Sequence, residues 1–421
     1  METRQRMVTE PIPSDRGFRA PGTGHMLAGS LIGAIGAYLF QLIGGRALGT
    51  EAFAPISVLW TVLFILVTVV LVPLEQYITR EASLGKRVLH ANITPIVSVI
   101  AGAAIAGGVF AIITSESLFA GKFVFALQLT LALVGYSVLL MAKGVLAGHR
   151  QFRNVGWILF WEAVVRLAAG VFILAVVVSA EALGWAMVLA PLAALGTRFW
   201  RHDVADDRPQ VAGQARSFLG AYIGGSAASQ LLLAGAPLGI AALGGGPTLI
   251  SITFVTFTLY RGPLTLIYSL QGRILPYLVR MSEEGSTGLR RIAFGVLVGG
   301  GALAVLGGAV GYLVGPEVVG FLFGPEFEPD RLVAAMAAAG VMAASTAQVA
   351  GQVLVAAGGT GKLATAWMSG LAVAIVVLVL APLAVDRTVA LGFLLGEATA
   401  AVVVAVMTLG VRRSGRVVAG A

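Results

Sequence analysis

The stretch TFTLYRGPLTLIYSL, residues 256–270, sets Arg261 in the middle of an apolar run of helical length. A guanidinium at the centre of a bilayer costs about 3 kcal/mol, so such a residue faces a bundle interior or a water-filled cavity. Its planar fork binds phosphate or carboxylate through two parallel bonds and never deprotonates. Arg261 is therefore a candidate ligand for an anionic group, with a structural pair to an acid on a neighbouring helix as the other reading. The segment WILFWEAVVRLAAG, residues 157–170, puts Glu162 and Arg166 four residues apart on one helix face. An intrahelical salt bridge is the favoured reading there, and a cavity-lining pair that exchanges partners is the alternative. Glu397 lies within another apolar run without a local partner, so it either pairs with Arg261 or carries a coupling proton. Pro237 stands between Gly235 and Gly239 deep in a further run, where it predicts a kink or hinge. Glu75 and Gln76, with Gln271 and Arg273, follow two corresponding runs as a candidate gate, although ordinary solvated helix ends explain them as well.

Other chemistries are excluded. The chain has no cysteine, which removes thiolate metal sites and a cysteine nucleophile. His25, His90, His149 and His202 are scattered and suggest no metal site. The segment AAGGTGKLAT around Lys362 misses the phosphate-loop pattern at Ala356 and Leu363, so no ATPase module is read and no cofactor is expected. Paired carboxylates, HExxH and GxSxG are absent, which leaves a membrane enzyme unsupported.

The elements that must position these residues are membrane helices. Hydrophobic residues make up 58% of the chain and charged ones 11%, against about half and a quarter in soluble domains. The apolar runs are long and continuous, unlike the alternating strands of a membrane barrel. Runs near the ~20 residues that span a bilayer occur at residues 26–43, 53–74, 93–113, 123–142, 155–178, 183–195, 218–241, 249–270, 292–314, 332–357, 363–385 and 389–409. The expected fold is an all-α polytopic membrane protein, with about twelve transmembrane helices in two parallel six-helix bundles around a central cavity. Residues 1–25 read as a polar cytoplasmic tail rather than a signal peptide. Residues 26–196 form the first bundle, 197–217 a cytoplasmic linker, 218–409 the second bundle and 410–421 a basic cytoplasmic tail.

The positive charges agree with this arrangement. With the N-terminus inside, only Arg46, Lys122, Arg331 and Arg387 fall on outer loops, while Arg166 and Arg261 fall within spans. The remaining Lys and Arg lie on the cytoplasmic side, as the positive-inside rule requires. The net charge of +8 is thus topogenic, and nucleic acid is excluded as a partner. The bilayer is the expected surroundings, specifically the inner (plasma) membrane with both termini cytoplasmic.

The halves share landmarks. GGRALGTEAFAPISVLW follows the first run and GIAALGGGPTLISITFV the seventh; QYITR ends the second and PYLVR the eighth. Six helices separate each pair, so the repeat is parallel. Transporters built from two such halves hold substrate near the midplane. Small-residue pairs such as Gly29 with Gly33, Gly220 with Gly224 and Gly307 with Gly311 read as helix-packing faces.

Residues 44–82, GGRALGTEAFAPISVLWTVLFILVTVVLVPLEQYITREA, resemble the opening of polysaccharide flippases of the O-antigen type. Residues 143–170, KGVLAGHRQFRNVGWILFWEAVVRLAAG, resemble that family's junction between helices four and five. The chain is thereby similar to the multidrug/oligosaccharidyl-lipid/polysaccharide exporter superfamily. The resemblance implies outward flipping of a lipid-linked oligosaccharide of the polyprenyl pyrophosphate type, with Arg261 and Arg46 as substrate ligands; Arg166 is a further substrate-binding candidate through its cavity-lining reading. Polysaccharide biosynthesis enzymes would then be partners. The multidrug branch often carries a cation-binding acid in helix one or seven, and neither run has one here. An H⁺ or Na⁺ coupled multidrug-type antiporter, working through Glu162 or Glu397, is the alternative.

Overall fold

The computed structural model describes residues 21–85, 87–91, 93–203, 226–262, 264, 278, 286–356 and 360–409. The chain is an all-α polytopic membrane protein. In a bilayer every backbone group must be satisfied within its own segment, and continuous apolar runs without polar interruption meet that demand only as helices.

The first helical stretch, α1 (Thr23–Leu66), holds the first two expected spans, which meet at a kink. Its direction changes at Gly49, whose φ of 73° and ψ of 175° lie where a side chain is poorly tolerated. The chain then passes through a π turn, Val67–Leu71, into α2 (Val72–Ser83). Together Thr23–Ser83 run for 61 residues, about three times the ~20 that span a bilayer, so the two crossings extend beyond its apolar core. The short α3 (Val88–Ala91) leads to α4 (Ile93–Ile113), and α5 (Ser115–Leu118) to the hairpin of α6 (Val124–Gly148) and α7 (Phe152–Val176). The sixth span is split: α8 (Ala180–Leu189) continues as a 3₁₀ segment, Ala190–Thr197, with Pro191 in its first turn. Proline offers no N–H and clashes with the preceding turn of an α-helix, so the tighter winding begins there.

The second half opens with α9, residues 226–234, and α10 (Ala236–Ala242), separated at Gly235. It continues through α11 (Pro247–Tyr260), α12 (Ser286–Phe323), α13 (Arg331–Ala356), α14 (Thr360–Leu380) and α15 (Val385–Leu409). Among the described residues, 9 helices are long and apolar enough to cross a membrane, one of them the doubled Thr23–Ser83 stretch. The seventh and eighth expected spans are described only as α9 with α10 and as α11. Most of the 197–217 linker, and the gate candidates Gln271 and Arg273, lie outside the described residues.

Small residues set the packing. A Cβ built on Gly29 of α1 would stand 2.3 Å from the Gly156 carbonyl of α7, so the two backbones touch. Along α12, Gly300, Gly307, Gly311 and Gly315 bring that helix onto α13, while Val305, Leu313 and Phe321 stay exposed. Without a hydrophobic drive between helices in lipid, such close approach is what holds a bundle together. In the first half α1 packs on α7 and α6 on α2 and α4; in the second α13 packs on α12 and α15.

The halves meet most tightly at the end marked by Gly49. Phe53 of α1 lies 6.1 Å from Phe254 of α11 and 6.4 Å from Phe327, centroid to centroid. Phe323 stacks within 5.9 Å of Phe327, and all four rings are buried. The acidic loop before α13, residues 325–330, is held in place. Phe327 anchors it, and Asp330 accepts the N–H groups of Leu332 and Val333 at 2.9 and 3.3 Å. The same carboxylate accepts from Arg387 of α15 at 2.9 Å.

Candidate functional site

A cavity of about 790 Å³ separates the halves in the part of the bundle nearer Thr23, beneath the aromatic seal. The first half contributes Tyr38 and Gln41 from α1 before Gly49, and Trp60, Thr61 and Thr68 after it. The second half contributes Ser229 and Gln230 of α9, Thr258 and Arg261 at the end of α11, Gln348 and Gln352 of α13 and Trp367 of α14. Arg261 is the only charged residue among the described lining. Carboxylates are absent from that lining, amides are plentiful, and Trp60, Phe254 and Trp367 offer flat apolar faces. The side-chain oxygens of Gln41 and Gln230 are buried there without a hydrogen-bond partner among the described residues.

Proline and arginine together build the charged corner. The carbonyl of Leu233 would receive the N–H of the residue four positions on, which is Pro237 and has none. Helix α9 ends at residue 234, and Arg261 donates to that carbonyl through Nη2. The carbonyl end of a helix carries partial negative charge, which favours a cation there. Arg261 follows the last turn of a helix of 14 residues, so its backbone lies about 20 Å below the Gly49 end. The kink that the sequence predicts at Pro237 falls at this break. Nearby, the Tyr38 hydroxyl donates to the Thr258 carbonyl at 3.0 Å and ties the two halves together.

Arg166 does not line the cavity. It is 4% exposed and donates through Nη1 to Glu162 of its own helix and, at 3.2 Å, to the Tyr136 hydroxyl of α6. Tyr136 itself donates to Glu162 at 2.7 Å. Glu162 and Arg166 thus form an intrahelical pair, and neither charge could stand buried alone. Its guanidinium sits 5.3 Å from the Trp60 ring centroid, so Trp60 lies between the pair and the cavity.

Arg46 is likewise no cavity ligand. It is exposed at the Gly49 end and donates to the carbonyls of Phe321 and Leu322. Those carbonyls close α12, where helical partners run out and a guanidinium is welcome. Glu75 pairs with Lys143 of α6 at 3.1 Å, within the first half rather than across to the second, and Gln76 is exposed. Glu397 is 0% exposed, and neither carboxylate oxygen has a partner among the described residues. No group of three or more His, Asp or Glu among the described residues could hold a metal ion.

Neither protein-family models nor curated proteins match the chain. Solved structures match its fold. An inward-facing multidrug resistance MATE family transporter of the MOP superfamily is similar with a TM-score of 0.64 at 13% identity, over 91% of this chain and 97% of that one. The eukaryotic MATE transporter AtDTX14 gives 0.61 at 13%, over 93% and 94%. A MOP superfamily transporter from Pyrococcus furiosus, described by the reverse polarity of its binding pocket, gives 0.53 at 14%, over 92% and 94%. The chain therefore has the fold of this exporter superfamily. The narrower likeness to polysaccharide flippases receives no support from these neighbours.

Proposed function

We propose that the protein is a membrane transporter that moves an amphipathic molecule between two sides of the bilayer by alternating access. The seal at the Gly49 end and the cavity toward the Thr23 end make the present conformation one of two expected states. Positive-inside charge favours a cytoplasmic Thr23 end, which would make this the inward-facing state, with residues 26–196 and 218–409 as the moving halves. The same charge distribution supports placing both termini in the cytoplasm, and the inner membrane is the location that goes with this reading. Pro237 is the hinge of this reading.

The fold neighbours favour a multidrug-type exporter over a dedicated flippase. The observation that narrows the substrate is the charge of the lining: one guanidinium and no carboxylate among the described residues. A cationic drug would meet the guanidinium of Arg261 in a low-dielectric site without a carboxylate in the described lining, whereas an amphipathic anion would be attracted to it. That a related fold is described by a pocket of reverse polarity supports treating pocket charge, rather than fold, as the guide to substrate.

A lipid-linked saccharide is the second reading. Its pyrophosphate would take Arg261, and its hydroxyls would donate to the unpartnered amides of Gln41 and Gln230. Polysaccharide biosynthesis enzymes would be partners under that reading alone.

Binding decides among these substrates. Trp60 and Trp367 line the cavity, so their fluorescence reports occupancy. Taurocholate, an amphipathic sulfonate, is expected to bind wild type and to lose at least tenfold in affinity in Arg261→Gln, while the cation ethidium binds weakly to wild type and better to the variant. Geranylgeranyl pyrophosphate binding far more tightly than taurocholate would move the lipid-linked reading forward. Ethidium binding wild type tightly, with the variant unchanged, would overturn the anion assignment.

A further inference from the structure

Glu397 occupies the middle of α15, about 18 Å from either end of the helix, at the depth where an ionised carboxylate is most costly. It is 0% exposed, and both oxygens lack a hydrogen-bond partner among the described residues. An ionised carboxylate needs hydrogen bonds or a counter-charge to persist in such a place, and a neutral carboxyl needs far less. The Glu162 carboxylate of the first half has both, from Tyr136 and Arg166.

The charged groups around α15 are few. Among described residues of the elements packed against it, α13 carries Arg331, α14 Lys362, and α12 Arg290, Arg291, Tyr312 and Glu317, all toward helix ends; α9 and α10 carry no titratable residue. On α15 itself, Asp386 and Arg387 stand at its start. Among the described residues, the charge that reaches Glu397 is that of Arg261. One turn of α9 links the two. A Cβ on Gly396 would lie 2.6 Å from the Leu232 side chain, and the next residue, Leu233, offers the carbonyl that holds Arg261.

We propose that Glu397 is a proton-binding site coupled to the Arg261 anion site. In the present conformation its carboxyl is neutral and Arg261 rests on Leu233. When the proton leaves to water, the resulting carboxylate draws the Arg261 guanidinium across the end of α9, away from the cavity. On reprotonation a hydronium ion returns the proton to the carboxylate and becomes water, and Arg261 is again available to a ligand. The carboxylate and the substrate anion thus compete for one guanidinium, so proton and anion bind together. By reciprocity, anion binding also pulls a proton onto Glu397. The coupling rests on the reading of Arg261 as an anion site; the proton site does not.

Two measurements on the full chain in lipid nanodiscs separate these. Infrared spectra stepped from neutral to alkaline pH should show the carbonyl stretch of a protonated carboxyl in wild type, lost in Glu397→Gln and shifted in Glu397→Asp, which keeps an ionisable group if the amide variant does not fold. Identical carboxyl regions in wild type and both variants overturn the proton site. In weak buffer, taurocholate, whose sulfonate does not titrate, should drive uptake of about one proton per molecule bound to wild type. Its affinity should fall up to about tenfold per pH unit at alkaline pH. Glu397→Gln should bind it without uptake or pH dependence. Binding to wild type without proton uptake overturns the coupling. Failure of taurocholate to bind wild type overturns the anion reading and the coupling with it, and the infrared band then decides the proton site alone.

Discussion

Arg261 donates to the Leu233 carbonyl, the group that Pro237, four residues further on, has no N–H to serve. A proline in one membrane helix and an arginine in the next thereby answer a single backbone deficit. The cost of the buried cation is partly met by the helix end it caps, and its side chain lines the cavity. Pro237→Ala would restore an N–H at that position. It is expected to raise thermal stability by on the order of 1–3 kcal/mol, to retain taurocholate binding, and to slow transport because the break in the helix is lost. Melting curves and flux measured on the same preparation check this, and unchanged flux would remove the hinge role.

The buried Glu162 and Arg166 pair is expected to be structural. Arg166→Ala leaves a carboxylate at 6% exposure with only Tyr136 to stabilise it, a loss of about 3–5 kcal/mol. Replacing both by Gln and Met should recover most of that loss, since an apolar substitute for a buried pair is often neutral. Thermal unfolding of the single and double variants measures the difference. A double variant as unstable as the single one would point to a role beyond mutual neutralisation.

Arg46 is expected to hold the seal rather than the substrate. Removing its bonds to the α12 carbonyls in Arg46→Gln should cost at most about 1 kcal/mol yet favour opening at the Gly49 end. The chain has no native cysteine, so a single Phe53→Cys reporter is unambiguous. Its reaction with a water-soluble maleimide should quicken several-fold when Arg46→Gln is added, with taurocholate affinity unchanged. Equal labelling rates would deny the latch.

Acidification tests the ordered loop. The hydrogen bond from Arg387, aided by the N–H groups of Val333 and Leu332, holds the Asp330 carboxyl below the usual carboxylate range. A depressed value in the folded state means stability that is complete above the unfolded value of about 3.9 and lost as pH falls through the folded one. Wild type should therefore melt above Asp330→Asn at neutral pH, and the gap should close below about pH 4. The pair is partly exposed, so the gap is expected to be small.

The sequence carried the spans, the glycine faces and the Glu162 and Arg166 pair, because each is a local pattern that lipid leaves few ways to satisfy. The kink at Pro237 was equally legible, since proline acts wherever it sits in a helix. Partners distant in sequence were not. Nothing in the spacing of residues tells Arg46 that the end of α12 lies beside it, or that Trp60 screens Arg166 from the cavity. The kink at Gly49, which joins the two spans of α1 directly, was hidden because a glycine turn and a short loop read alike. Resemblance to one branch of a superfamily, with the cavity-lining reading of Arg166, placed three arginines in the cavity; only Arg261 lies there, since the other two find better partners in carbonyls and in a carboxylate. The amides of Gln41 and Gln230 were missed because glutamines on separate helices give no sequence signal until the helices meet.

The most direct test is transport by the purified protein in proteoliposomes, comparing fluorescently labelled taurocholate with ethidium. Wild type should move the anion and leave the cation behind, Arg261→Lys should keep part of the anion flux, and Arg261→Gln should abolish it. Ethidium transport by wild type, undiminished in Arg261→Gln, would contradict the assignment of the cavity to amphipathic anions.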